Sequence, residues 1–214
     1  MNTLIIIGII GIIGIAFVIW IIIGINKDKK KYRDYALKNN LKYRRTDKDY
    51  LVYEILKTSV FYNIKDFKSK MIRKPYSISN ILTKDDEIIC TVSVNGSASG
   101  LLPDFLIYHN NMELPKLFIV SKTSSYINNN DINYYKNEFN ELNIDLSTDK
   151  HIVIINNSDK KTLLPKVEEI TPYLPAKYHF MIRNNKLMIY TFDKKINFQK
   201  FIDDCRKIKK ILDN

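Results

Sequence analysis

Residues Leu4–Ile25 read LIIIGIIGIIGIAFVIWIIIGI, an uninterrupted apolar segment without a charged side chain or a proline. As a helix, these 22 residues span about 33 Å, which is enough to cross a bilayer core of about 30 Å. Backbone N–H and C=O groups inside hydrocarbon must bond to one another, so the segment is predicted to be a transmembrane helix. Trp20 lies near its basic end, where it is either an interfacial anchor whose indole ring reaches the boundary between lipid and water or a lipid-facing residue without a special role.

A cleaved signal peptide is the main alternative for this segment. Secretory signals begin with a basic region, contain an apolar stretch of about 7–15 residues and end at a small-residue cleavage site. Here residues 1–3 carry no basic side chain, the apolar stretch is longer, and no such site follows it. A retained anchor is therefore favoured. Gly8, Gly11 and Gly14 recur at a spacing of three, whereas helix-dimer seams use a spacing of four, so a plain anchor is favoured over a dimerisation seam.

Basic residues directly after the apolar segment set its predicted orientation. Five of the eight residues from 26 to 33 are Lys or Arg. Lys and Arg close to a span stay on the cytoplasmic side, which predicts a single pass through the inner membrane with the N-terminus outside. Residues 26–214 are then cytoplasmic. The residues assigned to this topology signal and to the membrane surface are Lys27, Lys29, Lys30, Lys31, Arg33, Arg44 and Arg45.

The positive charge of the chain is concentrated beside the anchor. The formal net charge is +11, and residues 26–74 hold 16 basic against 6 acidic residues. Residues 75–214 are nearly neutral, with 18 basic against 17 acidic residues. This placement favours anionic phospholipid headgroups over nucleic acid as the partner, because the attraction of an anionic leaflet fades within a Debye length. The alternative is a topology signal combined with an ordinary solvated surface.

The residues that follow the anchor are numerous enough for one domain with its own core. We expect a basic juxtamembrane helix and linker over residues 26–46 and a cytosolic domain over residues 47–214. The two cysteines, Cys90 and Cys205, are predicted to be buried thiols in a reducing compartment. No spacing of Cys and His predicts a zinc site.

Local patterns predict an α+β domain with a mainly antiparallel sheet. Branched and aromatic runs predict strands at Ile78–Leu82, Ile88–Val94, Phe105–Tyr108, Leu117–Val120, Ile152–Ile155, Tyr178–Ile182 and Leu187–Phe192. The stretch Lys29–Asn39 is predicted to continue the anchor helix and to end at Asn39-Asn40. Apolar spacings of three and four predict helices at Asp47–Val60, Thr162–Tyr173 and Ile196–Leu212. Short turns at Lys84–Glu87 and Asn184-Asn185 join neighbouring strands as hairpins. In the last helix, the residues predicted to lie largely away from the apolar face that holds Phe201 are Lys200, Arg206, Lys207, Lys209 and Lys210.

The chain contains no recognisable catalytic or cofactor motif. Gly96–Gly100 reads GSASG, with Ala at the position where a nucleophile elbow has Ser. No Gly-rich loop precedes a Lys-Ser or Lys-Thr pair, so a phosphate-binding loop is not predicted. His109, His151 and His179 are isolated in the sequence and are interpreted as surface or satisfied core residues rather than as ligands. We therefore assign no catalytic residue, metal ligand or cofactor.

The order of several segments resembles a loosely defined group of bacterial membrane proteins that join one or more N-terminal spans to a cytosolic α+β domain. The segments are YALKNNLKY at Tyr35–Tyr43, LPKLFIV at Leu114–Val120, and the hairpin Tyr178–Tyr190 with the closing helix. No activity is attached to this group, so the resemblance implies an architecture and no site residue. The chain departs from the group at Asn40, where such proteins often have Gly.

Two classes of function fit these features. The first is a cytosolic binding or scaffold module, held at the inner membrane to meet a protein partner or lipid headgroups. A closely related version of it is an accessory subunit of a larger membrane complex. The second is an enzyme that acts at the membrane surface, whose residues converge from distant parts of the chain.

Overall fold

The computed structural model describes residues 2–46, 76–94, 105–109, 111–122, 142–143, 148–191 and 196–214. Over these ranges the chain has a long apolar N-terminal helix, an antiparallel sheet and two further helices, so the predicted α+β fold is confirmed. The helix predicted at Asp47–Val60 and the loop at Gly96–Gly100 lie outside the described residues, as does most of the segment 123–150.

The described elements include the strands and helices predicted within these ranges, together with two strands that were not predicted, at Lys42–Thr46 and Leu142–Asn143. The helices in the described ranges are α1 (Asn2–Lys38), α2 (Lys160–Ile170) and α3 (Phe198–Asp213), with 3-10 turns at Asn157–Asp159 and Thr171–Tyr173. The strands in the same ranges are β1 (Lys42–Thr46), β2 (Tyr76–Lys84), β3 (Glu87–Val94), β4 (Phe105–His109), β5 (Leu117–Ser121), β6 (Leu142–Asn143), β7 (His151–Asn156), β8 (Tyr178–Arg183) and β9 (Lys186–Thr191).

These strands form one sheet in the order β1-β2-β3-β4-β9-β8-β5-β7-β6, and every neighbouring pair is antiparallel. The turns that join them use residues that tolerate a left-handed backbone. Asn184 and Asn185 have φ of 51° and 59° between β8 and β9, and Asp85 has φ of 49° between β2 and β3. Asn40, with φ of 55°, follows the end of α1, which confirms the helix end predicted at Asn39-Asn40.

The main hydrophobic core lies between one face of the sheet and the helices. Its helical members are Tyr32, Tyr35 and Ala36 of α1, Leu163, Val167 and Ile170 of α2, and Phe198, Phe201, Ile202, Cys205, Ile208 and Leu212 of α3. Successive side chains of a strand point to opposite faces. Phe118, Ile154, Met181 and Met188, which alternate with core residues, are buried too, so both faces of the central strands are shielded from solvent. Cys90 and Cys205 are free and buried, as predicted.

Candidate functional site

The first half of α1 presents an exposed apolar surface. Its isoleucines between Ile6 and Ile23 are exposed, and Trp20 is 70% exposed. The Trp20 ring stacks on Phe17, with 6.0 Å between ring centroids. Among the described residues, α1 is the one helix that is both long enough and apolar enough to cross a membrane. Its most apolar window has a mean hydropathy of 2.7, and none of that window is buried within the protein.

The second half of the same helix belongs to the core. Tyr32 and Tyr35 both contact Phe198 of α3 edge to face, with ring centroids 4.5 Å and 5.4 Å apart. Tyr32 lies seven residues beyond Ile25, which is about 10 Å along the helix axis. One continuous helix therefore joins the apolar segment to the domain. The segment 26–46 supplies three core residues of α1 and the edge strand β1.

The basic residues predicted at the membrane surface lie on α1 and β1. Lys29 is partly exposed, and the exposed members are Lys27, Lys30, Lys31, Arg33, Arg44 and Arg45. Lys31 Nζ lies 5.7 Å from the ring centroid of Tyr32. Burial raises the pKa of Tyr43, while the positive charges of Arg45 and Arg33 act to lower it.

A polar pocket near the C-terminal end of α1 is a second candidate site, which the sequence analysis missed. Its volume is about 420 Å³. Glu87 and His109 are directly opposite each other in the β3–β4 register. Arg206 and Lys209 are three residues apart on α3 and so lie on the same side of that helix. The residues that line the pocket are Asn39, Lys84, Asp85, Asp86, Glu87, His109, Arg206 and Lys209.

A bidentate ion pair links the sheet to α3 at this pocket. Arg206 Nε donates to Glu87 Oε1 at 3.0 Å, and Arg206 Nη2 donates to Glu87 Oε2 at 2.6 Å. Arg206 Nη1 also donates to the Tyr35 hydroxyl of α1 at 3.3 Å. The hydrogen bonds with Glu87 raise the pKa of Arg206. The predicted position of Arg206 largely away from the apolar face did not indicate this ion pair, because its long side chain reaches from the helix surface to the sheet.

His109 lies at the bottom of the pocket and is 2% exposed. Burial lowers its pKa to about 4, although the nearby Glu87 carboxylate acts to raise it. The imidazole is therefore neutral near neutral pH, and the 3.9 Å between His109 Nε2 and Glu87 Oε1 is not an ion pair. Neither ring nitrogen has a hydrogen-bond partner in the described structure. The interpretation of His109 as a surface or satisfied core residue is wrong, because it is buried and its polar atoms are unsatisfied.

His151 and His179 are isolated in the sequence but close in space, because β7 and β8 both flank β5. His151 Nε2 lies 3.2 Å from the Pro175 carbonyl oxygen. The Ser121 N–H donates to His179 Nδ1 at 3.4 Å, and the Ser121 hydroxyl donates to the carbonyl of Ala176. Burial lowers the pKa of His179 to about 3. These bonds direct the Ser121 hydroxyl to the backbone, while His151 Nδ1 and His179 Nε2 are buried without a hydrogen-bond partner in the described structure, so the interpretation of these two histidines as satisfied core residues holds for only one nitrogen of each.

Metal-ligating clusters and the Cys205 thiol were the remaining candidates for chemistry in the described ranges. Within the described ranges, no three His, Cys, Asp or Glu side chains are placed to hold a metal ion. Burial raises the pKa of the Cys205 thiol well above its usual value. Because the thiolate is the reactive form of cysteine, Cys205 is an inert core residue.

Acid is expected to destabilise the protein through His109. Its pKa is 6.5 when unperturbed and about 4 in the folded protein, so the unfolded chain binds the proton more readily between these values. The stability that comes from a neutral His109 is complete above pH 6.5 and is lost as the pH falls toward 4. The negative charges of Glu87 and Asp86 act to raise the pKa of His109, and the positive charge of Lys209 acts to lower it. Together these charges do not cancel the lowering that burial causes.

The measurement is denaturant unfolding of the full chain in detergent at a series of pH values. The His109→Gln variant keeps a neutral polar side chain at every pH and is expected to lose less stability than the parent over this interval. His179, with its pKa of about 3, is present in both proteins and acts in the same direction in each. Equal acid sensitivity of the two proteins would assign the effect to groups other than His109.

Comparisons with known proteins show a likeness of fold only. No family model matches the sequence, and no curated protein matches it. The chain is similar in structure to the mycobacterial trehalose monomycolate transport factor A, TtfA. The TM-score is 0.55 at 9% sequence identity, over 86% of this chain and 92% of that chain. At this identity the likeness shows that the two chains share an α+β fold.

Proposed function

We propose that the protein is a single-pass membrane protein whose α+β domain is a binding or scaffold module held at the cytoplasmic face of the inner membrane. The observation that carries the proposal is the division of α1 into two parts. Its first part exposes an apolar surface that a bilayer would cover. Its second part packs into the core through Tyr32, Tyr35 and Ala36.

The continuous helix supports a domain held close to the membrane. Lys38, at the end of α1, lies 13 residues beyond Ile25, which is about 20 Å along the helix axis. The polar pocket begins at Asn39, so it would lie within a short distance of the lipid headgroups. Two of its ionic groups, Glu87 and Arg206, are paired with each other and connect α3 to the sheet.

An accessory subunit of a larger membrane complex is a second candidate. The protein that this chain resembles in fold is named a transport factor, and that name is all the comparison adds. Native electrophoresis after mild solubilisation tests this second candidate. An accessory subunit would migrate in an assembly much larger than its own 25.2 kDa, whereas an independent module would migrate near that mass plus detergent.

The orientation gives the first test. A reporter fused after Asn214 is expected to be active only in its cytoplasmic format, because the basic residues after Ile25 remain on that side. Moving the basic cluster ahead of Leu4 is expected to weaken or invert the orientation. Activity of a reporter that requires export, fused at the same position, would reverse the assignment.

The basic surface gives the second test. A fragment that begins at Lys27 keeps the core residues of α1, and circular dichroism checks that it is folded. We expect it to bind anionic vesicles, with an affinity that falls as salt shortens the screening length from about 30 Å at about 0.01 M to about 8 Å at about 0.15 M. Replacing five basic residues by Gln is expected to weaken binding by about tenfold or more. These residues are Lys29, Lys30, Lys31, Arg44 and Arg45.

A matched control removes the same charge from other exposed positions. It replaces Lys150, Lys161, Lys177, Lys207 and Lys210 by Gln. If lipid binding depends on the surface of α1 and β1, this control is expected to bind nearly as well as the parent. Equal weakening in both variants would show an effect of net charge alone, and equal binding to neutral vesicles would exclude the electrostatic account.

A further inference from the structure

The polar pocket beside α1 contains two sets of charged groups, one with ion-pair partners among the described residues and one without. Glu87 is paired with Arg206, and Lys209 Nζ lies 2.6 Å from Asp213 Oδ2. The second set is the β2–β3 turn at the rim, where Lys84, Asp85 and Asp86 are consecutive. In the part of the chain that the structure describes, these three side chains form no ion pair.

The bottom of the pocket carries a second and independent feature. His109 has a side chain that is 97% buried, and neither of its nitrogens has a hydrogen-bond partner among the described residues. A buried polar atom without a partner is unfavourable, and such atoms in native structures call for an explanation such as a missing ligand or water. A neutral imidazole offers one donor and one acceptor. The bottom of the pocket therefore has unused capacity for a polar group.

The rim indicates what kind of molecule would fit. Two carboxylates and one ammonium group at neighbouring positions offer an acceptor pair for a cation and a donor for an anion. A simple anion would be repelled by Asp85 and Asp86, and a simple cation would leave Lys84 unused. The volume of about 420 Å³ is at the small end of the usual range of ligand pockets, about 300–1,000 Å³.

We propose that this pocket binds a small zwitterion of the amino-acid class. The ammonium group of the ligand bonds to the carboxylates of Asp85 and Asp86, and its carboxylate bonds to Lys84 Nζ. The imidazole of His109 lies beneath this pair with both nitrogens covered, so its bond to a polar group of the ligand requires the neighbouring side chains to move. This inference goes beyond the proposed membrane function and does not depend on the orientation of the chain.

The test uses the full chain in lipid nanodiscs and isothermal titration with each of the L-amino acids at millimolar concentration. We expect saturable binding of at least one of them. The amine that lacks the carboxylate of that amino acid, and the acid that lacks its ammonium, are each expected to bind at least about tenfold more weakly, since each loses a charge-assisted hydrogen bond. A neutral disaccharide and inorganic phosphate are expected not to bind.

Rim variants locate the binding without disturbing the core. Lys84→Gln and Asp86→Asn are expected to weaken it by about tenfold each. Asp85→Asn is a third variant, and Asn tolerates the positive φ of this position. Lys161→Gln, an exposed change on α2, is the matched control and is expected to bind as the parent does.

His109→Gln is expected to alter which amino acid binds best, because it changes the polar group at the bottom of the pocket. The proposal is overturned if no amino acid binds, if the amine or the acid binds as well as the zwitterion, or if the rim variants bind as the control does. Failure of the topology reporter would overturn the membrane proposal and leave these results unaffected, so the two failures are distinguishable.

Discussion

Replacing Phe201 by Ala is expected to lower the free energy of unfolding by about 3–5 kcal/mol. Phe201 is 0% exposed, and its ring contacts Tyr178 of β8 edge to face, with 5.1 Å between centroids. Removing the ring leaves a cavity between α3 and the sheet that the neighbouring side chains fill only in part. Leu187→Ala in β9, also 0% exposed, is expected to cost about 2–5 kcal/mol for the same reason.

Denaturant unfolding of the full chain in detergent, followed by circular dichroism, measures this loss. Lys207→Ala is the matched control on the same helix, because Lys207 is exposed and Ala is a good helix former. It is expected to change stability by no more than about 0.5 kcal/mol. If Phe201→Ala and Leu187→Ala both keep the melting temperature of the control, the packing of α3 on the sheet is not as described.

Most of the fold could be predicted because its signals are local. The hairpin of β8 and β9 is specified by two apolar runs on either side of Asn184-Asn185, and both asparagines adopt the positive φ that such a turn requires. The last helix was recognisable because Phe201, Ile202, Cys205 and Ile208 repeat at helical spacing, and all of them are buried. These patterns depend on neighbours within a few residues of one another.

The polar pocket could not be predicted because its residues come from distant parts of the chain. Arg206 lies 119 residues from Glu87 and 171 residues from Tyr35, and no spacing in the sequence records these contacts. On α3, Arg206 has the pattern of an ordinary solvated residue, and only the position of β3 gives it a partner. Lys84, Asp85 and Asp86 have the pattern of a charged turn, which they also form.

The hydrogen-bonding state of His109 is another feature that the sequence could not predict. Its position after the apolar run of β4 indicated a strand end, and the structure confirms that placement. Whether its nitrogens are satisfied depends on which groups the opposite strand and α3 bring near it. The register pairs it with Glu87, and that carboxylate is already engaged by Arg206. Such competition between partners is visible only in three dimensions.

Replacing Arg206 by Met is expected to destabilise the protein by about 3 kcal/mol, because it leaves the Glu87 carboxylate buried without its partner. The Glu87 side chain is only 11% exposed, so water replaces few of the lost hydrogen bonds. The Arg206 side chain is 36% exposed, and we therefore take the low end of the range for a broken buried pair. The change also removes the hydrogen bond to the Tyr35 hydroxyl, which ties α3 to α1.

The double variant Glu87→Leu with Arg206→Met separates this account from a simple loss of packing. Replacing both partners of a buried ion pair by apolar side chains of similar size is often neutral or stabilising. We expect the double variant to recover most of the stability that the single variant loses, when both are measured by denaturant unfolding. Lys207→Met, at an exposed position of α3, is the control and is expected to change stability by no more than about 0.5 kcal/mol. A double variant that is less stable than Arg206→Met would show that the carboxylate of Glu87 stabilises the fold through contacts other than Arg206.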